Sequence, residues 1–293
     1  MTDPGPDDEP TSSTSAGPGF ALGPWRELAP GVWVAVAFPD AVNLVLVAGT
    51  ERALLVDTGS SPEQGRTVRA AVAEVCPVPL EIVVVTHGHR DHAFGLAAFD
   101  DLVTVGHEDV AVALTGAALG DDALALGLDP AALAPPNHPI VLAAAYELGS
   151  RRVEVAHIGR GHTGADLVVV VPDADLVLVG DLVESAAAPS LGPDSFLHEW
   201  AIALDGVIGL MTGATRAVPG HGEPVDRPYV YEQRGRLAAV SGEVRRLAGS
   251  GVGAADAAAR GEWAYPVETL APGLATAFAQ LGPVTPRRSL PLA

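Results

Sequence analysis

Residues 86–92 read Thr86-His87-Gly88-His89-Arg90-Asp91-His92, which places three imidazoles and one carboxylate within six residues. Neutral imidazole and carboxylate are ligands suited to zinc, iron or manganese. On a continuous strand His87 and His89 would face one side, and Asp91 and His92 could not both follow them inward. The string is therefore expected to leave its strand as a loop, with Gly88 giving the backbone freedom to bend. Such a loop can direct His87 and His89 to one metal and Asp91 and His92 to a second one nearby. The competing reading is a His-rich surface loop. With only nine histidines in 293 residues, so tight a cluster is a poor match to chance.

Working outward, three further segments repeat one pattern, an apolar run followed by a glycine-flanked ligand. They are Gly161-His162-Thr163-Gly164, Val179-Gly180-Asp181-Leu182 and Pro219-Gly220-His221-Gly222. Each alone is weak, because a single His or Asp after a strand is usually a cap or a hydrogen-bonded core residue. Together with the first string they bring the candidate ligands to seven: His87, His89, Asp91, His92, His162, Asp181 and His221.

The apolar runs around these segments set the fold class. Val32–Phe38, Val42–Ala48 and Ala53–Asp57 are short runs separated by turn residues and read as a strand meander. Pro62–Val75 carries Val68, Val72 and Val75 at helical spacing, with Ser61-Pro62 as cap and first position. Glu81–Thr86 is a β-branched strand that ends where the chemistry starts. Glu108–Leu119 reads as a helix, and 120–140 as a long insert or flap. Arg152–His157, Asp166–Val171, Leu176–Val179 and Arg216–Val218 read as strands. Phe196–Met211, Pro228–Leu247, Ala254–Arg260 and Val267–Leu281 read as helices. The class is α/β (α+β): two packed sheets with helices outside both would bury these runs on both faces. The expected organisation is a disordered tail over 1–22, rich in Pro, Gly, Ser, Thr and Asp, a catalytic domain over 23–225, and a helical extension over 226–293 packed on the same domain.

Composition narrows the partners. The formal charge is −19, from 36 acidic and 17 basic side chains. A surface of that sign repels phosphate backbones and anionic lipids, so neither nucleic acid nor membrane is expected as a partner. Cys76 is the single cysteine, so no intrachain disulfide can form. The start, MTDPGPDDEP, has no basic region followed by an apolar stretch, so no secretory signal is expected and the location expected is cytoplasmic. There is no Gly-x-Ser-x-Gly elbow and no phosphate-cradling glycine loop. His157 and His107 read as structural, His107 as a helix cap. Arg90 is open between a carboxylate pair and a substrate contact.

The string at 87–92, of the form H-x-H-x-D-H, followed in order by His162, Asp181 and His221, resembles the metallo-β-lactamase-fold hydrolase superfamily. Asp57-Thr58-Gly59 at the end of an early strand matches as well. The resemblance covers about 30–225. It implies an αββα sandwich of two mixed sheets, with the site along one edge. It implies that His87, His89 and His162 hold one metal, that Asp91, His92 and His221 hold the other, and that Asp181 bridges both. Asp57 would orient a ligand imidazole from behind, and Asp91 would also orient the attacking water as the catalytic carboxylate. The cofactor implied is two divalent ions, zinc first, with iron or manganese as alternatives. His89 stands where flavo-diiron oxidoreductases carry Glu, which favours hydrolysis over redox chemistry. Asp181 matches glyoxalase II-like and lactonase-like members, whereas true β-lactamases usually carry Cys or Ser near that point. The function expected is hydrolysis of an ester, thioester or lactone bond in a small acyl substrate. The alternatives are a mononuclear iron persulfide dioxygenase, a β-lactam hydrolase and, ranked last because no ligand is lost, a non-catalytic binding module.

Overall fold

A computed structural model of the chain describes residues 19–282. In chain order the strands are β1 (Ala21–Leu22), β2 (Arg26–Ala29), β3 (Val32–Phe38), β4 (Val42–Ala48), β5 (Ala53–Val56), β6 (Leu80–Val84), β7 (Val103–His107), β8 (His138–Ile140), β9 (Ala143–Glu147), β10 (Arg152–Ala156), β11 (Val168–Val171), β12 (Leu176–Gly180) and β13 (Arg216–Pro219). The helices are α1 (Pro62–Val75), α2 (Arg90–Ala93), α3 (Glu108–Thr115), α4 (Ala117–Ala125), α5 (Leu197–Leu210), α6 (Arg227–Gly249), α7 (Ala254–Arg260) and α8 (Val267–Gln280).

The first sheet runs β1-β3-β4-β5-β6-β7-β8, with β2 also paired to β3. It is antiparallel from β3 to β5 and parallel from β5 to β8. The second sheet runs β13-β12-β11-β10-β9, antiparallel except for the parallel β12–β13 pair. Both sheets are mixed. Their central strands are apolar on both faces, as strands covered on both sides must be. In β5, Leu54 and Val56 point between the sheets while Ala53 and Leu55 point to the outer helices. In β12, Leu178 points between the sheets while Val177 and Val179 point outward to α5 and α6. The result is the expected four-layer order of helix, sheet, sheet and helix.

Several boundaries differ from the sequence expectation. Most of the expected disordered tail, residues 1–18, lies outside the described residues. Its last residues do not continue it: Ala21 and Leu22 pair with Phe38 and Ala37, and Leu22 packs on the outer cluster of the first sheet. The helix expected over 108–119 breaks at Gly116, whose extended backbone separates α3 from α4. The expected insert over 120–140 ends as β8, which extends the first sheet beyond β7. In the helices after residue 226, Val230, Leu237, Val240, Leu270 and Leu274 share one buried cluster with α5 and the outer face of β12. Ser61 caps α1 as expected, its hydroxyl accepting from the Gln64 N–H at 3.0 Å. Cys76 is half-buried at the other end of that helix. Among the described residues, no helix is long and apolar enough to cross a membrane.

Candidate metal centre

Each candidate ligand follows the end of a core strand or a loop leaving one. β6 leads through Val85 and Thr86 to His87, β12 ends at Gly180 just before Asp181, and β13 ends at Pro219 just before Gly220 and His221. His162 lies in the loop between β10 and β11. The expectation of a loop throughout residues 87–92 needs correction. His89 is the N-terminal cap of the short helix α2, so Asp91 and His92 project from a helical turn. The reason given for Gly88 also changes. Its φ is not positive, and what it supplies is room, because a Cβ would come within 3.0 Å of Ala113 Cβ.

The seven residues lie together, in the two sets that the resemblance implies. His87, His89, His162 and Asp181 each offer one ligand atom, and these atoms are all within 4.8 Å of one another; so do Asp91, His92 and His221. His162 Nε2 is 2.9 Å from His89 Nδ1 and 3.4 Å from Asp181 Oδ2, and His87 Nε2 is 3.9 Å from the same oxygen. His221 Nε2 is 3.1 Å from Asp91 Oδ2 and 3.6 Å from Asp181 Oδ2, while His92 Nε2 is 3.3 Å from Asp181 Oδ1. Two atoms each about 2.1 Å from a shared ion stand about 3–4 Å apart, so these spacings fit. Burial makes the stronger test. Among the described residues, His87 Nε2, His92 Nε2 and Asp181 Oδ1 are buried without a well-formed hydrogen bond, the last two facing each other at 3.3 Å, a condition that buried polar atoms rarely tolerate. A divalent cation is the partner that such a donor set fits.

The imidazoles are aimed by groups behind them. Asp57 Oδ2 is 2.8 Å from His92 Nδ1, which leaves His92 Nε2 facing inward. The other Asp57 oxygen accepts from the Thr86 N–H at 2.7 Å, tying the ends of β5 and β6 together. Asp57 holds this position with φ of +63°, a left-handed conformation that Asp tolerates better than most residues. Asp194 Oδ2 is 2.9 Å from His89 Nε2 and turns His89 Nδ1 inward. Asp166 accepts from the N–H groups of Gly161 and Thr163, at 3.1 Å and 3.0 Å, and fixes the loop that carries His162. Trp200 is fully buried, donates from Nε1 to the Leu182 carbonyl at 3.0 Å, and sets its ring edge-on to His162.

Electrostatics divide the two sets. Burial pushes the His87 imidazole well below its usual range and His162 down to about 4. Burial also opposes charge on His92, but the carboxylates of Asp181, Asp91 and Asp57 overcome it and hold His92 well above that range. His221 is carried up to about 11 in the same way, by hydrogen bonds to Asp181 and Asp91. In return, Asp91 and Asp181 stay well below the usual carboxylate range despite their burial, chiefly through His92. Burial, with Asp181 close by, pushes Glu184 up to about 9.

Sequence reasoning missed Asp194, Asp166 and Glu184. Asp194 lies in a Gly-Pro-Asp-Ser turn and carries no motif. Asp166 follows Ala165 in the loop after His162 and stands outside the glycine-flanked pattern. Glu184 sits three residues past Asp181, a spacing that was the only available signal. Of the two readings of Arg90, the carboxylate pair is present, with Asp40 Oδ1 at 2.6 Å. His107 caps α3, its Nδ1 accepting from the Asp109 N–H at 3.3 Å, and His157 Nδ1 pairs with the Asp166 carbonyl at 2.9 Å.

A family model described as the metallo-β-lactamase superfamily matches residues 37–273. That stretch runs past residue 225, where the resemblance read from the sequence ends, into the helices that follow. The chain is 25% identical over 185 residues to the metallo-β-lactamase type 2 of Bacillus cereus, covering 62% of this chain and 68% of that protein. The type 2 enzyme of Bacillus sp. (strain 170) gives the same identity and length, covering 67% of that protein. The metallo-β-lactamase IND-1 of Chryseobacterium indologenes is 28% identical over 148 residues, covering 50% of this chain and 57% of that one. A solved metallo-β-lactamase from Pontibacter korlensis shares the fold, with a TM-score of 0.62 at 22% identity over 74% of this chain and 99% of that chain.

Proposed function

This chain belongs to the metallo-β-lactamase superfamily, and on that premise we propose that it is a dinuclear metal hydrolase acting on an ester, thioester or lactone bond of a small acyl substrate. The observation that carries the reading is the group of buried atoms without a well-formed hydrogen bond on His87, His92 and Asp181, at the meeting point of two ligand sets. His87, His89 and His162 would hold one ion, Asp91, His92 and His221 the other, and Asp181, whose two oxygens face both sets, would bridge. Bound there, two divalent cations, zinc first, would lower the pKa of a shared water and polarise an acyl carbonyl. The remaining work falls to the chain. Asp91, kept ionised by His92 and His221, would also orient the attacking water by accepting a hydrogen bond from it. Asp57 and Asp194 fix the rings of His92 and His89 so that their inward nitrogens stay available.

The names of the Bacillus and Chryseobacterium relatives favour β-lactam hydrolysis as a second reading. The bridging carboxylate of Asp181, in the glyoxalase II-like pattern, supports the acyl ester and thioester reading ahead of it. Elemental analysis of protein purified without chelator tests the centre, and two ions per chain are expected. A chain that holds one iron and takes up nothing more would favour the dioxygenase alternative. A panel of acyl thioesters, lactones and β-lactams, assayed with zinc-, manganese- and iron-loaded protein, tests the bond.

A further inference from the structure

Glu184 lies on the loop after β12 and is 7% exposed. Its backbone is engaged, the N–H donating to Gln233 Oε1 at 3.0 Å and the carbonyl accepting from the Tyr229 hydroxyl at 2.8 Å. Among the described residues its carboxylate meets no hydrogen-bond donor and no Lys or Arg, and the basic group beside it is the His221 imidazole. A buried carboxylate in that condition is unfavourable unless a cation faces it. One Glu184 oxygen, an Asp181 oxygen and a His221 ring nitrogen lie within 4.8 Å of one another. On its other side Glu184 forms one wall of a cavity of about 380 Å³, shared with Tyr229, Arg236 and Tyr265. Among the described residues, Arg236 is the one Lys or Arg in that wall. It is already paired with Glu232 at 2.7 Å and lies over the Tyr265 ring, so it does not neutralise Glu184.

We propose that Glu184 is a further ligand of the ion held by Asp91, His92 and His221, and that it makes this position selective for a hard divalent ion such as manganese. The inference rests on the dinuclear reading above. It follows from the donor sets. The first position offers three imidazoles and the Asp181 carboxylate, a set complete for tetrahedral zinc. Asp91, His92 and His221 form one group and Asp181, Glu184 and His221 another, so the two meet at His221, and an ion there that took Glu184 as well would draw on two imidazoles and up to three carboxylates. Oxygen-rich sets of higher coordination number suit manganese, whereas imidazole-rich sets suit zinc. Two divalent ions would also give three facing carboxylates the positive charge that Arg236 withholds.

The test uses the full-length chain, stripped with chelator and titrated with zinc and then manganese, with free manganese followed by electron paramagnetic resonance. The wild type is expected to take one zinc and one manganese per chain. Glu184→Gln, which keeps size and removes charge, is expected to weaken manganese about tenfold or more, with the first zinc unchanged. A variant that binds manganese as tightly as the wild type overturns the inference while leaving the dinuclear reading intact. A wild type that takes up neither metal sinks both. A second measurement needs no variant. Anomalous scattering at the manganese edge from wild-type crystals is expected to place the ion against Glu184, and an ion more than about 3 Å from its carboxylate overturns the proposal.

Discussion

A Cβ on Gly220 would overlap Asp181 Oδ1 and come within 3.0 Å of His92 Cε1. Gly220→Ala is therefore expected to push the Asp181 carboxylate, proposed above to bridge the two ions, aside without touching the sheet core. The expected outcome is a loss of about 10–100-fold in metal affinity, read by chelator competition, with the circular dichroism spectrum unchanged. Titration separates the two ligand sets in a second way. A protonated imidazole cannot bind a metal, so a raised pKa carries proton competition to higher pH. His92 and His221 are raised, His221 to about 11, and at neutral pH both must shed a proton as an ion enters. His87 and His162 are depressed and already neutral there, leaving only His89 raised in its set. Affinity at the second set is thus expected to climb more steeply between pH 6 and 8 than at the first, with more protons released per ion. Calorimetry in buffers of different ionisation enthalpy measures both, and equal proton release at the two steps would contradict the assignment. All seven proposed ligands were legible in the sequence: four crowd into the string at 87–92, and glycine-flanked positions after apolar runs mark His162, Asp181 and His221. Asp194 and Glu184 were not, since a carboxylate that reaches a site from a distant loop leaves no local pattern.

At the scale of elements, strands with strong β-branched runs could be read to the residue: Val32–Phe38 and Val42–Ala48 stand as expected, as does the capped helix Pro62–Val75. What escaped were elements whose signal is tertiary. β9 is an alanine-rich edge strand with alternating exposure, and β1 is a strand only because β3 offers it a partner. That pairing sets a prediction for truncation. A chain starting at Gly19 keeps β1, together with the hydrogen bond from Gln64 Nε2 to the Ala21 carbonyl at 3.1 Å. A chain starting at Gly23 loses both, and also the contact of Leu22 with the outer cluster. The shorter chain is expected to be less stable by about 1 kcal/mol in urea unfolding, with activity retained because no ligand lies there. The fixed core behind the site carries a larger penalty. Trp200→Ala empties a fully buried position beside His162, and a loss of about 3–5 kcal/mol is expected. A loss under about 1 kcal/mol would show that α5 does not brace the His162 loop.

The whole molecule adds a field to this geometry. Its formal charge is −19, so an anionic substrate approaches against a repulsive potential and a neutral one does not. β-Lactams and phosphodiesters both carry negative charge, whereas acyl esters and thioesters can be neutral. The two bound cations proposed here act over a few ångströms, but encounter is decided at a range near the Debye length, about 10 Å at 0.1 M salt. The expected outcome is a kcat/KM for a neutral thioester at least tenfold above that for a β-lactam or a phosphodiester under the same metal loading, about 1.4 kcal/mol of transition-state stabilisation. Salt separates the field from the pocket. If repulsion contributes, raising ionic strength from about 0.01 M to 0.2 M should speed the anionic substrates and leave the thioester flat, because screening removes a barrier that only they meet. A tenfold preference for either anionic substrate would overturn the acyl reading. A preference for the thioester that ignores salt would keep that reading and assign the selectivity to the contacts around Asp181 alone.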